Sequence, residues 1–268
     1  TTMTSTCNGG SIIGIEEYTY EATISIAKCT DWIFSVYVCC RNHSISTINA
    51  PGSEELRIEA TLNNSTVCNN SPNFTQYPVP YICANTPYCY NNGATDVDGD
   101  SLVYSLVDPL TLSGVVVYNG IYSSTLPVGG FTTFNPITGN LCLNPPQPLT
   151  SVLAIRVDEY RNGVLIGSII RDIQINVLNC AEPPPYLTGI DTNVSVDSDP
   201  TGEIATYDFC TDGTLPLIFN IDALTTSTNT NLTMSWNNAI SGANFVVANN
   251  GTSSPNGTFT WTPTLADV

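Results

Sequence analysis

The sequence predicts an all-β protein made of tandem β-sandwich domains. Short runs of β-branched and aromatic residues alternate with polar residues along most of the chain, a pattern typical of half-buried strands. Charged residues make up only 11% of the chain, whereas Thr, Ser, Asn, Gly and Pro are abundant, which favours strands joined by turns. No window of eleven or more residues has the apolar spacing of an amphipathic helix. We therefore expect little or no helix.

Residues 1–85 are expected to form the first sandwich, since three segments alternate between apolar and polar residues. The expected strands are Glu17–Ile26, Trp32–Cys40 and Leu56–Leu62. Four prolines lie between Ser71 and Pro87, and proline cannot donate a hydrogen bond to a sheet. That stretch is predicted to be an extended connector near a domain boundary.

Residues 86–181 are expected to form a second sandwich. Its predicted strands are Leu102–Val107, Val115–Tyr118, Leu153–Asp158 and Val164–Val177. Asn162-Gly163, between the last two strands, is the pair that favours a type I′ hairpin turn.

Residues 186–268 are expected to form a third sandwich, separated from the second by the stiff segment Glu182-Pro-Pro-Pro185. Its predicted strands are Ile204–Phe209, Pro216–Ile221, Leu232–Trp236, Asn244–Ala248 and Thr258–Trp261.

A weak repeat relates Pro136–Pro145 to Pro255–Pro263, but a long hairpin follows only the first copy. We therefore expect the third sandwich to lack its final strands. An open sandwich exposes core residues and a bare edge. Either further residues of a longer chain or strands donated by a neighbouring subunit would complete it.

Charge and cysteine content indicate the compartment and exclude one class of partner. The formal net charge of −17 would repel nucleic acid, and no apolar run is long enough for a membrane span. Ten cysteines favour an oxidising, extracellular location. The cysteines named as disulfide candidates are Cys29, Cys39, Cys40, Cys68, Cys83, Cys89, Cys142 and Cys180. Pairing of Cys29 with Cys39 or Cys40, and of Cys89 with Cys142, is expected, although the overall connectivity stays open.

The acidic loop Asp96-Val-Asp98-Gly-Asp100 is the predicted metal site, with Ca²⁺ as the expected cofactor. Alternating carboxylates around a turn supply the oxygen ligands that Ca²⁺ prefers. Asp158 or Glu159 would add further oxygens if the sandwich brings that strand end alongside the loop. An ordinary Asp-Gly turn with solvated carboxylates is the alternative.

We expect no enzymatic activity. The only histidine, His43, lies in no recognisable catalytic motif. Sequons instead suggest a glycoprotein, and the candidate acceptors are Asn63, Asn73, Asn193, Asn231, Asn250 and Asn256.

Three stretches resemble the large, repetitive cell-surface proteins of Bacteroidota, which include gliding-motility adhesins and proteins exported by type IX secretion. They are Cys39-Cys-Arg-Asn42, Asn91-Asn-Gly-Ala-Thr-Asp-Val-Asp-Gly-Asp-Ser-Leu-Val-Tyr-Ser-Leu106, and Val157-Asp-Glu-Tyr-Arg-Asn-Gly-Val-Leu-Ile166 with Arg171-Asp-Ile173. Thr258–Thr264 is similar to the cadherin-like and Ig-like repeats of such proteins. The resemblance implies an exported fibre or adhesin made of tandem Ig-like or cadherin-like β-sandwich domains, with residues 86–181 forming a cadherin-like one. It also suggests Ser101 as an O-glycosylation site.

We therefore expect an extracellular filament subunit or adhesin stalk, with other copies of the chain, joined head to tail, as its main partner. Strand complementation is the expected mode of assembly. The alternative is a module that binds carbohydrate or a host or other surface, in which Trp32, Trp236 and Trp261 would serve as stacking platforms. Most aromatic residues occupy inward strand positions, which favours a core role for them.

Overall fold

The computed structural model describes residues 17–78, 81–180, 185–187, 215–225, 230–236, 238 and 240–264. Within these residues every regular element is a strand, apart from one 3-10 turn at Pro51–Ser53. The all-β prediction is confirmed, whereas tandem Ig-like domains are not established. No helix long and apolar enough to cross a membrane occurs in the described part of the chain.

Fifteen strands are present in the described residues. They are β1 (Trp32–Val38), β2 (Leu56–Leu62), β3 (Asn73–Phe74), β4 (Tyr81–Cys83), β5 (Tyr88–Asn91), β6 (Ala94–Thr95), β7 (Ser101–Val107), β8 (Phe131–Phe134), β9 (Asn140–Asn144), β10 (Leu149–Arg161), β11 (Val164–Leu178), β12 (Tyr186–Leu187), β13 (Leu217–Leu224), β14 (Asn244–Ala248) and β15 (Asn256–Trp261).

The largest sheet has six strands in the order β1-β2-β11-β10-β7, with β4 added in parallel at one end of β11. Its centre is the long β10–β11 hairpin. Asn162 and Gly163 at the hairpin tip both have positive φ angles, 53° and 78°, as a type I′ turn requires. The Asn-Gly prediction is confirmed.

A second sheet, β5-β9-β8, covers the inner face of the large sheet. Leu153 and Ile155 of β10 and Ile173 of β11 pack there with Leu141 and Leu143 of β9. The two layers therefore form a β-sandwich, because successive residues of each strand point to opposite sides and one side is apolar.

The predicted domain boundary at residue 85 does not match this sandwich. Strands β1, β2 and β4, from before residue 85, share the large sheet with β7, β10 and β11, and Ile82 is part of the same core. The expected proline-rich connector also contributes strands: β3 pairs with β6, and β4 pairs with β11. Pro72, Pro78 and Pro87 lie beside these short strands rather than inside them.

Two expected strands of this region are absent. Glu17–Ile26 forms no strand and is exposed along nearly its whole length. Val115–Tyr118 makes only isolated bridges, from Val115 to Leu110 and from Tyr118 to Ile48. It packs over the outer face of β10, where a small cluster buries Ile48, Val116 and Val152.

A separate four-stranded sheet, β12-β13-β15-β14, contains the described C-terminal residues. The predicted strands at 216–221, 244–248 and 258–261 correspond to β13, β14 and β15. Leu232–Trp236 contributes only a bridge from Leu232 to Thr252. The predicted strand Ile204–Phe209 lies outside the described residues.

Three cysteine pairs lie at disulfide distance. Cys89 faces Cys142 across β5 and β9, with 4.0 Å between their Cα atoms, which agrees with the predicted pairing. Cys83 pairs with Cys180, and Cys39 pairs with its neighbour Cys40. The expected link from Cys29 to Cys39 or Cys40 is therefore wrong.

Cys29 and Cys68 have no disulfide partner among the described residues. The Cys29 thiol instead donates a hydrogen bond to Asp31, at 2.8 Å.

A buried ion pair fastens the segment after Cys40 to the sandwich. The Arg41 guanidinium donates to both carboxylate oxygens of Asp172 on β11, at 3.0 and 2.7 Å, and also to the Leu110 carbonyl. Both charged side chains are almost completely buried. Burial raises the pKa of Asp172, while Arg41 lowers it.

Candidate cation site

The acidic loop lies between β6 and β7, and a side chain of the loop fixes its shape. Asp96 Oδ1 accepts hydrogen bonds from the main-chain N–H groups of Asp98 and Asp100, at 2.9 and 3.0 Å. Gly99 has a φ of 78°, which glycine adopts without strain. Such local bonds are typical of Asp in turns, and here they leave the other oxygen of Asp96 directed away from the turn.

Glu159 approaches this loop from the end of β10. It continues the inward row of Leu153, Ile155 and Val157, and its side chain is fully buried. Gly167 lies opposite on β11, where an added Cβ would come within 2.7 Å of Glu159 Oε2. The missing side chain of Gly167 therefore gives the carboxylate its room.

Asp96, Asp100 and Glu159 converge at this point, each with a carboxylate oxygen within 4.8 Å of the others. Asn69 donates a hydrogen bond to Glu159 Oε2 at 2.8 Å. Glu159 Oε1 and Asp96 Oδ2 are buried and have no hydrogen-bond donor among the described residues. Buried carboxylate oxygens without a partner are costly, and a cation or a proton between them removes that cost.

The electrostatics of the cluster favour such an occupant. The pKa of Glu159 is raised to about 7, chiefly by burial and also by the neighbouring carboxyls of Asp100 and Asp96, against the opposing hydrogen bond from Asn69. Near neutral pH the fully ionised cluster is therefore unstable without a compensating positive charge.

Arg161, two residues after Glu159, provides part of that charge. Its Nε and Nη2 atoms donate to the two oxygens of Asp100, at 2.7 and 2.5 Å, and Nη2 also reaches Asp98 at 3.1 Å. This pairing lowers the pKa of Asp100. Nη1 donates to the Cys68 carbonyl at 3.0 Å, and Nη2 also lies 3.0 Å from Asn69 Oδ1. One guanidinium against four carboxylates leaves the group with an excess of negative charge.

The five predicted calcium ligands do not form one set. Asp98 is not among the three convergent carboxylates. Both of its oxygens accept hydrogen bonds from Asn70, and those bonds lower its pKa. Asp158 is wrong as a ligand. It points to the other face of β10 and pairs there with Arg156 at 2.7 Å.

Sequence reasoning missed three residues that shape the site: Asn69, Arg161 and Gly167. The alternation along β10 was the available signal, because it places Glu159 inward and Asp158 outward.

An apolar groove on the C-terminal sheet is the second candidate site. It has a volume of about 350 Å³, and its lining residues are Leu187, Leu217, Phe219, Ile221, Met234, Ser235, Trp236, Ile240, Phe245, Phe259 and Trp261. Trp236 packs edge-on against Phe259, with 5.6 Å between the ring centroids. Two of the three tryptophans therefore line an open groove rather than a closed core.

The third tryptophan, Trp32, is only partly buried on β1 and donates its ring N–H to the Ala27 carbonyl, at 2.9 Å. His43 is exposed, and its ring lies where a Cβ on residue 52 would be.

The glycosylation candidates differ in their exposure and in the hydrogen bonds of their side chains. Asn73, Asn231 and Ser101 are exposed. The amide nitrogens of Asn250 and Asn256 donate to the Met234 carbonyl and to Asp222, which opposes attachment of a sugar at those atoms. Asn63 accepts two bonds from Ser65, and Asn193 lies outside the described residues.

Comparisons with known proteins add no relative to this description. No protein-family model matches the chain, and neither the curated proteins nor the solved structures contain a match.

Proposed function

We propose that this chain is an extracellular structural protein, a filament subunit or a segment of an adhesin stalk, that joins other copies of itself by strand complementation. The observation that carries the proposal is the open apolar groove of the C-terminal sheet. Exposed apolar grooves of this size mark interaction sites, because water contact with aromatic side chains is unfavourable.

The chemistry of the groove favours a β-strand as its occupant. Its walls are aromatic and aliphatic, and Ser235 is the one polar side chain among the lining residues. An incoming strand satisfies its own polar groups through main-chain hydrogen bonds along the sheet edge and places alternate side chains in the groove. A second copy of the chain is the occupant that a filament requires.

A divalent cation, with Ca²⁺ the best fit, is proposed to stabilise the main sandwich. Asp96, Asp100 and Glu159 are all oxygen donors, the ligand class that Ca²⁺ prefers. Ca²⁺ takes about six to eight oxygens, so main-chain carbonyls and water would complete the set. Such a cation would bind both the acidic loop and β10, and it would therefore stabilise the folded sandwich against separation of these two elements.

The extracellular location rests on the cysteines. Cys83–Cys180 and Cys89–Cys142 both join segments distant in sequence, and disulfides of this kind persist in oxidising compartments. The location at a bacterial cell surface rests on the sequence resemblance alone.

A carbohydrate-binding or host- or surface-binding module is the second candidate, because Trp236 and Trp261 line the groove. Sugar recognition needs polar groups around the aromatic platform, and the groove has few. Binding of a labelled glycan panel, lost in Trp236→Ala, would favour this candidate.

Sedimentation velocity of the full chain over a concentration series tests the proposal. We expect the fraction of species larger than the monomer to increase with concentration. We expect a chelator to lower the stability of the main sandwich, because it removes the cation, and to leave the groove unchanged. A chain that stays monomeric at every concentration, in calcium and in chelator, would contradict self-association.

A further inference from the structure

Arg161 places a positive charge at the edge of the proposed cation site. The chain has only six lysine and arginine residues, and among the ion pairs of the described residues those of Arg161 alone reach the acidic loop. Its Nε and Nη2 atoms donate to the two oxygens of Asp100 at 2.7 and 2.5 Å. The carboxylate that a cation would share with Asp96 and Glu159 is thus already paired with a guanidinium.

Further hydrogen bonds hold this guanidinium in place. Nη1 donates to the Cys68 carbonyl, and Nη2 also donates to Asn69 Oδ1 and to Asp98. The Arg161 side chain is only 25% exposed. Because the planar fork is bonded on several sides, its charge stays beside Asp100 rather than moving out into solvent.

The same cluster contains oxygens that Arg161 does not satisfy. Glu159 is fully buried, and its Oε1 has no hydrogen-bond donor among the described residues. The buried Asp96 Oδ2 likewise has none. These two carboxylates and that of Asp100 converge within 4.8 Å, and the described hydrogen bonds of Arg161 reach only Asp100 among them. Oxygens suited to a cation therefore lie next to a fixed positive charge.

We propose that Arg161 is a tethered counter-ion that sets the calcium affinity of this site and keeps it weak. The inference rests on the proposed cation site and names the residue that controls its affinity. Bound Ca²⁺ and the guanidinium would share the Asp100 carboxylate, and their like charges repel each other. A site weakened in this way fills at calcium concentrations of about 0.1–1 mM, the range of extracellular modules.

The size of the effect follows from Coulomb's law. Calcium–oxygen distances are about 2.3–2.6 Å, so a cation on the other side of the Asp100 carboxylate would lie about 6 Å from the guanidinium. Screened as in bulk water, a unit charge and a divalent cation at that distance repel enough to change the Kd about tenfold. Salt screens this repulsion, so the effect should shrink as the ionic strength rises.

Isothermal titration calorimetry of the full chain with calcium chloride, at low ionic strength, tests the inference. Arg161→Gln removes the charge and keeps a polar side chain, whereas Arg161→Lys keeps the charge without the fork. Arg156→Gln is the matched control, because Arg156 pairs with Asp158 on the other face of the same strand. Urea unfolding checks that each variant is folded.

We expect Arg161→Gln to bind calcium about tenfold more tightly than the wild type, and Arg156→Gln to bind it as the wild type does. Arg161→Lys should stay within about threefold of the wild type, since the charge sets the affinity. Adding Glu159→Gln to Arg161→Gln should remove the gain, because the tighter binding occurs at this cluster. Added salt should bring the Kd values of Arg161→Gln and the wild type closer together.

The outcomes separate this inference from the proposed cation site. Calcium binding that Glu159→Gln weakens but Arg161→Gln does not tighten overturns the role of Arg161 and leaves the site standing. Equal tightening by Arg161→Gln and Arg156→Gln, or by Arg161→Gln and Arg161→Lys, also overturns that role.

Binding by Arg161→Gln alone would support the role of Arg161 and contradict a bound cation in the wild type. If neither the wild type nor Arg161→Gln binds calcium, the inference and the proposed cation site are both wrong.

Discussion

Replacing Glu159 by Gln is predicted to stabilise the protein when no cation is present. Glu159 is fully buried, and its Oε1 and the nearby Asp96 Oδ2 have no donor among the described residues. A Gln amide keeps an acceptor for Asn69 and supplies N–H groups to the Asp96 oxygen. The substitution therefore removes a buried charge and adds a donor where one is lacking.

The size of the effect follows from the pKa of Glu159, which rises from 4.5 to about 7. At about 1.4 kcal/mol per unit, this shift corresponds to roughly 3 kcal/mol. The folded protein binds the proton more tightly than the unfolded chain does. The contribution of Glu159 protonation to the free energy of unfolding is thus fully present below pH 4.5. It is lost as the pH rises through 7, and above that pH the full cost of the buried charge applies.

Urea unfolding in chelator is the assay. At pH 8 we expect Glu159→Gln to be about 2–3 kcal/mol more stable than the wild type, and at pH 4 we expect the difference to disappear. Added calcium should cancel the difference at about 100 times its Kd, where a ligand stabilises by about 2.7 kcal/mol, and reverse the order at about 1,000 times its Kd, where it stabilises by about 4.1 kcal/mol, because the variant has lost a charged ligand.

Asp158→Asn is the matched control, because it removes one carboxylate from the neighbouring position on the other face of β10. We expect a change of about 1 kcal/mol or less for this partly exposed pair. The reasoning is refuted if Glu159→Gln is less stable than the wild type at pH 8 in chelator, or if both variants respond alike to calcium.

Three further predictions concern the main sandwich. Arg41→Ala leaves the buried Asp172 unpaired and should cost about 3–5 kcal/mol in urea unfolding; a loss below 1 kcal/mol would contradict the role of this pair. Gly167→Ala puts a Cβ 2.7 Å from the buried carboxylate oxygen. It should lower the free energy of unfolding by about 1–3 kcal/mol and abolish the stabilisation by calcium; an unchanged response to calcium would count against the site. Replacing the Cys89–Cys142 pair by alanines should cost about 2–4 kcal/mol, and a reducing agent should then lower the stability of the wild type more than that of the variant.

Local sequence patterns predicted those elements whose structure depends mainly on neighbouring residues. Alternation and the Asn-Gly turn placed the β10–β11 hairpin, because register and turn type follow from neighbouring residues. The same alternation, read to its end, distinguishes the inward Glu159 from the outward Asp158.

Long-range pairing could not be read in this way. Strand β4 joins β11 almost 100 residues later, so a boundary drawn at the proline-rich stretch divided one sandwich into two. The segment Glu17–Ile26 has a strand pattern but forms no strand. A pattern predicts which face a strand buries, whereas the partner depends on the whole fold.

Electron micrographs of the full chain, prepared without reducing agent and in calcium, test the central claim most directly. The account predicts filaments with a regular subunit repeat in the wild type. Isolated wild-type particles at concentrations well above those of the sedimentation series would contradict the claim that this protein is a self-assembling structural subunit.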